Sequence, residues 1–299
     1  MPRWNEEETK LIAIVREKLG PLLTDRPQYP EVVGDRKILR FLRGHDYKVD
    51  KVVEMITGFL NWRKEKNVDK IRDDIVNGGI DHPSKFPLGE KIISLIPQLV
   101  LAPDATDMTG APICVEQYNF SPAKVLANLT IDEYILFIIH CLEYKMLITD
   151  QMSEHQERAL IEGKSSDELE KMEPYGVILY NCVIRDLNGV GFEHLGSQGM
   201  EIIRAITSVA SDNYPELMRK CYMINSPWIF NSVWYIIRAF LAPKTAAKVS
   251  VMGSGYMAEI TKEIEERNVP VCIGGQYPGY AVAFPFDRGF LNPPGVAAE

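Results

Sequence analysis

The sequence predicts an α/β protein whose first quarter is all-helical and whose remainder is a largely parallel sheet flanked by helices. Three observations predict it. Apolar residues recur at helical spacing from Glu6 to about Asn77, the period then changes to short β-rich apolar runs, and those runs alternate with long helical patterns. Strand–helix alternation implies parallel strands joined by right-handed crossovers. Strands apolar on both faces imply a sheet covered on both sides.

In the first stretch, DRKILRFLR places Ile38, Phe41 and Leu42 on one helix face and Arg36, Arg40 and Arg43 on another. Val52, Ile56, Phe59 and Leu60 form a second apolar stripe, with Trp62 beside it. NGGIDHPSKFP, residues 77–87, is rich in turn formers and reads as a linker. The expected limits are therefore 1–80 for a helical module, 85–280 for the α/β domain and 281–299 for a C-terminal extension. Strands are expected at PICVEQY (112–118), GVILYNCVI (176–184), CYMIN (221–225) and KVSVM (248–252). Helices are expected at about 131–160, 195–211 and 229–241, with a last one near 256–266 leading to the short run VPVCI. The tail LNPPGVAAE reads as loose chain, and no internal repeat is visible.

Composition narrows the function classes. Hydrophobic content of 46% and charged content of 25% fit a globular protein with a real core. A net charge of −8 argues against a nucleic-acid binder, which needs a basic footprint. Contact with anionic lipid must come from a local basic patch and be transient, because the whole-protein field repels. The five cysteines (Cys114, Cys141, Cys182, Cys221, Cys272) are odd in number, lie in apolar runs and form no CxxC pair. They are expected to be buried reduced thiols, in keeping with a cytoplasmic protein. The N-terminus is charged, and no apolar run reaches the ~18 residues of a spanning helix. A soluble monomer is expected.

Catalytic motifs are missing. The histidines show no metal-ligand spacing, and His140 in FIIHCLEY reads as a satisfied core or cavity-lining residue. There is no GxSxG elbow and no Walker lysine; GSG at 253–255 would need a third glycine where Ala258 stands. Neither an enzyme activity nor a cofactor is therefore expected. The segment PWIFNSVWYIIRAFLAP (227–243) stands out, with Trp228, Phe230, Val233, Trp234, Tyr235, Ile237 and Phe240 covering nearly its whole circumference. Two readings stay open: a buried core helix, or a helix with one face on a lipid-filled cavity and another that meets bilayer.

Read in order, KILRFLRGHDYKVDKVVEM with NWRKE, RDLNGVG, DNYPELMRKCYMINSPWIF, FLAPKTAAKVSVMGSGY and VPVCIGG resemble the CRAL-TRIO lipid-binding family. The resemblance is greatest to its secretory-pathway phosphatidylinositol/phosphatidylcholine transfer proteins. It implies an N-terminal all-helical module, then a CRAL-TRIO domain whose sheet floors a hydrophobic lipid cavity, with the helix around 229–241 as its gate. It also implies an inositol-headgroup site at Glu216, Thr245 and Lys248. The chemistry is reasonable: Pro243 suits the first turn of a helix, residues three apart share a face, and Lys248 can neutralise a phosphate beside the Thr245 hydroxyl. Without the resemblance, Lys248 reads as a solvated charge and Glu216 as a helix-start carboxylate.

The sequence departs from the family in two places. The basic pair after FLR falls on His45 and Asp46; His45 can still donate a hydrogen bond, Asp46 has the wrong sign, and Arg43 is the nearest substitute. At the phosphatidylcholine site the hydroxyl residues fall on Asn181 and Val183 and one tyrosine on Cys114, while Tyr144 is kept. Choline recognition is correspondingly weakened. The resemblance implies a phospholipid ligand, most of all phosphatidylinositol. It also implies transient contact with membranes such as Golgi or endosome, and transfer of lipid or its presentation to lipid kinases. Two alternatives remain: a carrier of a neutral hydrophobe of the tocopherol, retinoid or sterol type, and a regulatory protein-interaction module.

Overall fold

A computed structural model describes residues 3–96, 98–100, 105–239, 241–278 and 286–292. The described residues within Met1–Gly79, Lys145–Leu179 and Pro285–Glu299 form one compact unit, and those within Ile80–Tyr144 and Tyr180–Phe284 form a second.

The first unit is helical, as its periodicity dictates. Helices Glu6–Leu19, Asp35–Gly44, Val49–Glu65 and Val68–Val76 bury Val15, Leu39, Phe41, Leu42, Val52 and Leu60 completely. The side chain of Asn5 caps the first helix, accepting from the Glu8 backbone N–H at 2.8 Å. The basic face of Asp35–Gly44 also turns inward. Arg36 reaches Asp150 at 3.0 Å and Glu157 at 3.0 Å, while Arg40 donates to the Leu179 carbonyl at 2.7 Å. Arg36 is buried with counter-charges and Arg40 with a hydrogen-bond acceptor, the conditions under which burial is tolerable.

The second unit holds a five-stranded sheet in the order β1 (Gln98–Val100), β2 (Ile113–Gln117), β3 (Asn181–Asp186), β4 (Met218–Ile224), β5 (Val249–Val251). β2 to β5 are parallel and β1 joins β2 antiparallel. Both faces are covered by apolar side chains. Ile113, Val115, Cys182, Ile184 and Tyr222 pack on one side against Ile260, Ile264 and Ile273. Val183, Cys221 and Met223 pack on the other against Phe230 and Ile237. Helices Ile131–Ile161 and Ser197–Asn213 match the expected spans to within about two residues.

Several expectations need correction. The strand expected over 176–184 begins only at Asn181, because side chains satisfy the preceding backbone: Glu157 accepts from Val177 N–H at 2.7 Å and Ser153 from Leu179 N–H at 2.9 Å. The helix expected over 256–266 is a single turn, Met257–Ile260. Beyond it the bonding is mixed, Glu263 N–H bonding three residues back to Ile260 at 3.0 Å and Ile264 N–H four back to the same carbonyl at 2.9 Å, and Ile260 and Ile264 are both in the core. β1 and helices Gly89–Leu95 and Pro122–Asn128 were not foreseen. Within the expected linker, Pro83 and Phe86 are buried, and the Phe86 ring packs on Phe137, His140 and Tyr144. Cys272 is exposed, whereas the other four thiols are buried. Asn292 is the last described residue, so the tail after it lies outside the described residues.

Candidate functional site

Lys248 and Glu216, 32 positions apart, are brought together by the parallel β4–β5 pairing. Pro243 opens the short helix Pro243–Ala247, and Lys248 closes it as the residue feeding β5. Its ammonium donates to Glu216 Oε2 at 2.8 Å and to the Met218 carbonyl at 3.0 Å, and lies 5.8 Å from the Tyr180 ring centre. Thr245 is half-buried one turn earlier, its carbonyl accepting the Lys248 N–H at 3.1 Å. Glu216 is not at a helix start. It sits in the turn between helix Ser197–Asn213 and β4, with φ of +52°. That conformation is rare for a residue with a Cβ, and holding a carboxylate there marks the turn as specified.

His45 belongs to the first unit. It caps helix Asp35–Gly44 and stacks on Phe41 with ring centres 6.3 Å apart. Asp46 and Tyr47 follow at φ of +53° and +58°, and Asp is among the residues that accept this region. Arg43, the nearest substitute cation, is paired with Glu8 at 2.9 Å, and the Tyr47 hydroxyl bonds the same carboxylate at 3.2 Å. Nothing in the sequence singled out Glu8.

The residues expected at a second lipid position fall on and beside one sheet face. Cys114 pairs in register with Val183, and Val183 with Cys221, so all three project to the face covered by Phe230 and Ile237. Asn181 shares that face but is buried, its amide within 3.4 Å of the Leu217 carbonyl. Tyr144 is buried edge-on to Phe86, ring centres 5.9 Å apart.

The same face carries two charges that the sequence reading passed over. Glu116 on β2 and Arg185 on β3 are direct cross-strand partners, Arg185 Nε donating to Glu116 Oε2 at 2.9 Å. Burial alone would lower the Arg185 pKa, but Tyr118 and Glu116 beside it outweigh burial and hold it above the ordinary value, so the guanidinium stays charged. Burial, with Tyr118 and Glu116 as neighbours, pushes the Tyr134 hydroxyl well up, so it stays neutral. The signal was available: opposite charges at facing positions inside two apolar strands.

The segment expected at 229–241 forms helix Phe230–Arg238, and its apolar residues divide by face. Phe230 and Ile237 are 5% and 8% exposed and pack on Val183, Cys221 and Met223, joined by half-buried Trp234 and Leu241. Trp228 and Tyr235 are each 81% exposed, with Ile236 and Arg238 also outward. Neither a wholly buried core helix nor an ordinary amphipathic one has such an outer face. Phe240, and the side chain of Val233, lie outside the described residues.

A cleft of about 390 Å³ bordered by Asp107, Glu265, Arg267 and Asn268 lies elsewhere. Asp107 is committed to structure there, accepting from Thr109 and Ala111 backbone N–H groups and from Arg219. Among the described residues no cluster of His, Cys, Asp and Glu is placed to hold a metal ion. No single described helix is long and apolar enough to cross a membrane.

Residues 104–275 match the CRAL/TRIO domain family. The Sec14 cytosolic factor of Schizosaccharomyces pombe is 32% identical over 253 residues, covering 84% of this chain and 78% of that protein. The phosphatidylinositol/phosphatidylcholine transfer protein SFH12 of Arabidopsis thaliana is 26% identical over 272 residues, covering 90% of this chain and 44% of that larger protein. The crystal structure of Sfh5 superposes with a TM-score of 0.60 at 15% identity, covering 88% of this chain and 85% of that one, a likeness of fold.

Proposed function

The chain belongs to the CRAL/TRIO domain family, and we propose that it is a lipid carrier that takes up one phospholipid, phosphatidylinositol first, and transfers it between membranes. The observation that carries this reading is the two-faced helix Phe230–Arg238. Its inner side packs on the apolar face of the sheet, its outer side presents Tyr235 and Ile236 to solvent, and Trp228 is exposed in the turn just before it. A core helix gains nothing from exposing an indole and a phenol. A helix that docks on a bilayer can place both rings at the headgroup level. The inward face then serves the acyl chains, and opening on the membrane gives them a path that never crosses water.

Lys248, Thr245 and Glu216 form the headgroup site in this reading. The ammonium has three N–H donors, two of them engaged by Glu216 and Met218, which leaves one for a phosphate oxygen. The role given to His45 rests on the family resemblance and is tested separately by His45→Ala. The carrier works in the cytosol as a monomer, touches Golgi or endosomal membranes transiently, and either delivers its lipid or presents it to a lipid kinase. No step calls for a catalytic residue. Native mass spectrometry of lipid co-purified with the protein, together with vesicle-to-vesicle transfer of phosphatidylinositol, tests the reading. Protein that carries no phospholipid and transfers none overturns it.

A further inference from the structure

We propose that Arg185, held by Glu116, is a binding point for an uncharged carbonyl oxygen of an ester-linked lipid on the sheet face beneath helix Phe230–Arg238. The proposal rests on the lipid-carrier reading and adds the chemistry of the inner wall. Arg185 shares its face with Val183, and its register partner Met223 belongs to the apolar cluster that includes Phe230 and Ile237. Met200, Ile203, Trp234 and Val251 pack on that cluster yet are only half-buried. Arg185 itself keeps 31% of its side-chain surface accessible, against 12% for Glu116. The Arg185 side chain therefore borders reachable space beside an apolar cluster.

The planar guanidinium fork can engage both oxygens of a carboxylate at once. Here only Nε bonds Glu116, and among the described residues the two terminal nitrogens have no hydrogen-bond partner. Four N–H donors are thus left over by the pair.

Charge balance selects the ligand. Arg185 and Glu116 together are neutral. A carboxylate or phosphate monoester would leave a net negative charge on this wall, and a quaternary ammonium would meet the guanidinium with like sign. An ester carbonyl accepts from the fork with no change in charge, and the two esters of a diacyl glycerol backbone suit its two terminal nitrogens. That carbonyl can come from the glycerol esters of the carried phospholipid or from an uncharged diacylglycerol.

The test loads purified protein with matched diacyl and diether forms of phosphatidylinositol and of diacylglycerol, the ether forms lacking only the carbonyls. Uptake is read by native mass spectrometry in competition. The natural protein is expected to prefer the ester form on the order of tenfold, and Arg185→Met to erase the preference. Because Arg185→Met leaves Glu116 without its counter-ion, the double variant Glu116→Gln/Arg185→Met is measured beside it, with circular dichroism as the fold control. A preference confined to phosphatidylinositol identifies the phospholipid's own esters as the source; one confined to diacylglycerol identifies the uncharged lipid. Equal uptake of ester and ether forms, or a preference that survives both variants, overturns the proposal while leaving the carrier reading intact. Stronger uptake of phosphatidate or free fatty acid that depends on Arg185 overturns it in favour of an anion site. Failure to take up any acyl lipid overturns the carrier reading with it.

Discussion

Lys248→Ala is the sharpest test of the headgroup assignment, because the structure sets both the expected loss and the competing explanation. The side chains of Lys248 and Glu216 are 24% and 16% exposed, so their ion pair at 2.8 Å is partly shielded from salt. At an effective dielectric of ~20 the raw attraction is about 6 kcal/mol, most of it offset by desolvation. Deleting the lysine should therefore cost the fold only about 1–2 kcal/mol. The remaining N–H supplies one charge-assisted contact to phosphate, about 1.5–3 kcal/mol, or roughly a 10- to 150-fold loss in phosphatidylinositol binding. Phosphatidylinositol transfer between vesicles should fall by at least tenfold, with circular dichroism unchanged. Glu216→Gln should lose less, since it keeps a hydrogen-bond acceptor for the ammonium and leaves the cation in place. Unchanged transfer by a correctly folded Lys248→Ala protein would refute the assignment and return Lys248 to being a partner of Glu216 and nothing more.

Four further outcomes are expected. Trp228→Ala with Tyr235→Ala should weaken vesicle binding more than tenfold in a sedimentation assay, each buried ring being worth about 1.5–3 kcal/mol, and should leave equilibrium lipid occupancy unchanged; lost occupancy would show that these rings line the ligand. Phosphatidylcholine transfer should be much slower than phosphatidylinositol transfer, because Asn181, Val183 and Cys114 offer no hydroxyl or ring to choline; equal rates would show the inference wrong. Arg36→Met should cost about 3–5 kcal/mol in urea unfolding, since Asp150 and Glu157 lose their buried counter-charge. Desolvation pushes the Glu154 carboxyl up, but Arg3 and Arg36 outweigh it and hold the folded-state pKa below the ordinary carboxylate value. Its stabilising contribution is thus complete above the unfolded-state pKa and is lost as pH falls through the lower folded-state one, so an acid titration of stability should be shallower in Arg36→Met.

What was legible in the sequence followed from periodicity. Residues 131–160 could be read as a helix because their apolar positions persist over eight turns, and CYMIN as a strand because both its faces are apolar. What escaped was decided by partners rather than by pattern. GVILY has strand composition, yet Glu157 and Ser153 side chains take its N–H groups before a neighbouring strand can. The segment after Ile260 carries helix formers, yet its bonding mixes three- and four-residue steps, and the helix ends at Ile260. Only the family resemblance pointed to Glu216 and Lys248 as partners, for nothing local links residues 32 positions apart. The reversal at residues 230–238 is the most instructive. Composition showed a segment apolar all round, and only the structure separates buried Phe230 and Ile237 from exposed Trp228, Tyr235 and Ile236.

That arrangement separates affinity from rate. Two acyl chains withdrawn into water would cost roughly 0.8 kcal/mol for every CH₂ exposed, so a route through solvent is closed on any useful timescale. Headgroup contacts of the kind proposed at Lys248 cannot lower that barrier, because they act on the bound state. The barrier falls only if the chains pass from the sheet face to bilayer without meeting water, which requires the covering helix to move while its outer side rests on lipid. Trp228 and Tyr235, each 81% exposed and outside the apolar cluster of Val183 and Met223, cost the free protein exposed apolar area. In the carrier reading their stabilisation is realised at the membrane, the place where the helix has to open. In the proposed reading, selection of the lipid rests with the polar groups at the β4–β5 end and on the inner wall, and timing rests with the outer face of one short helix.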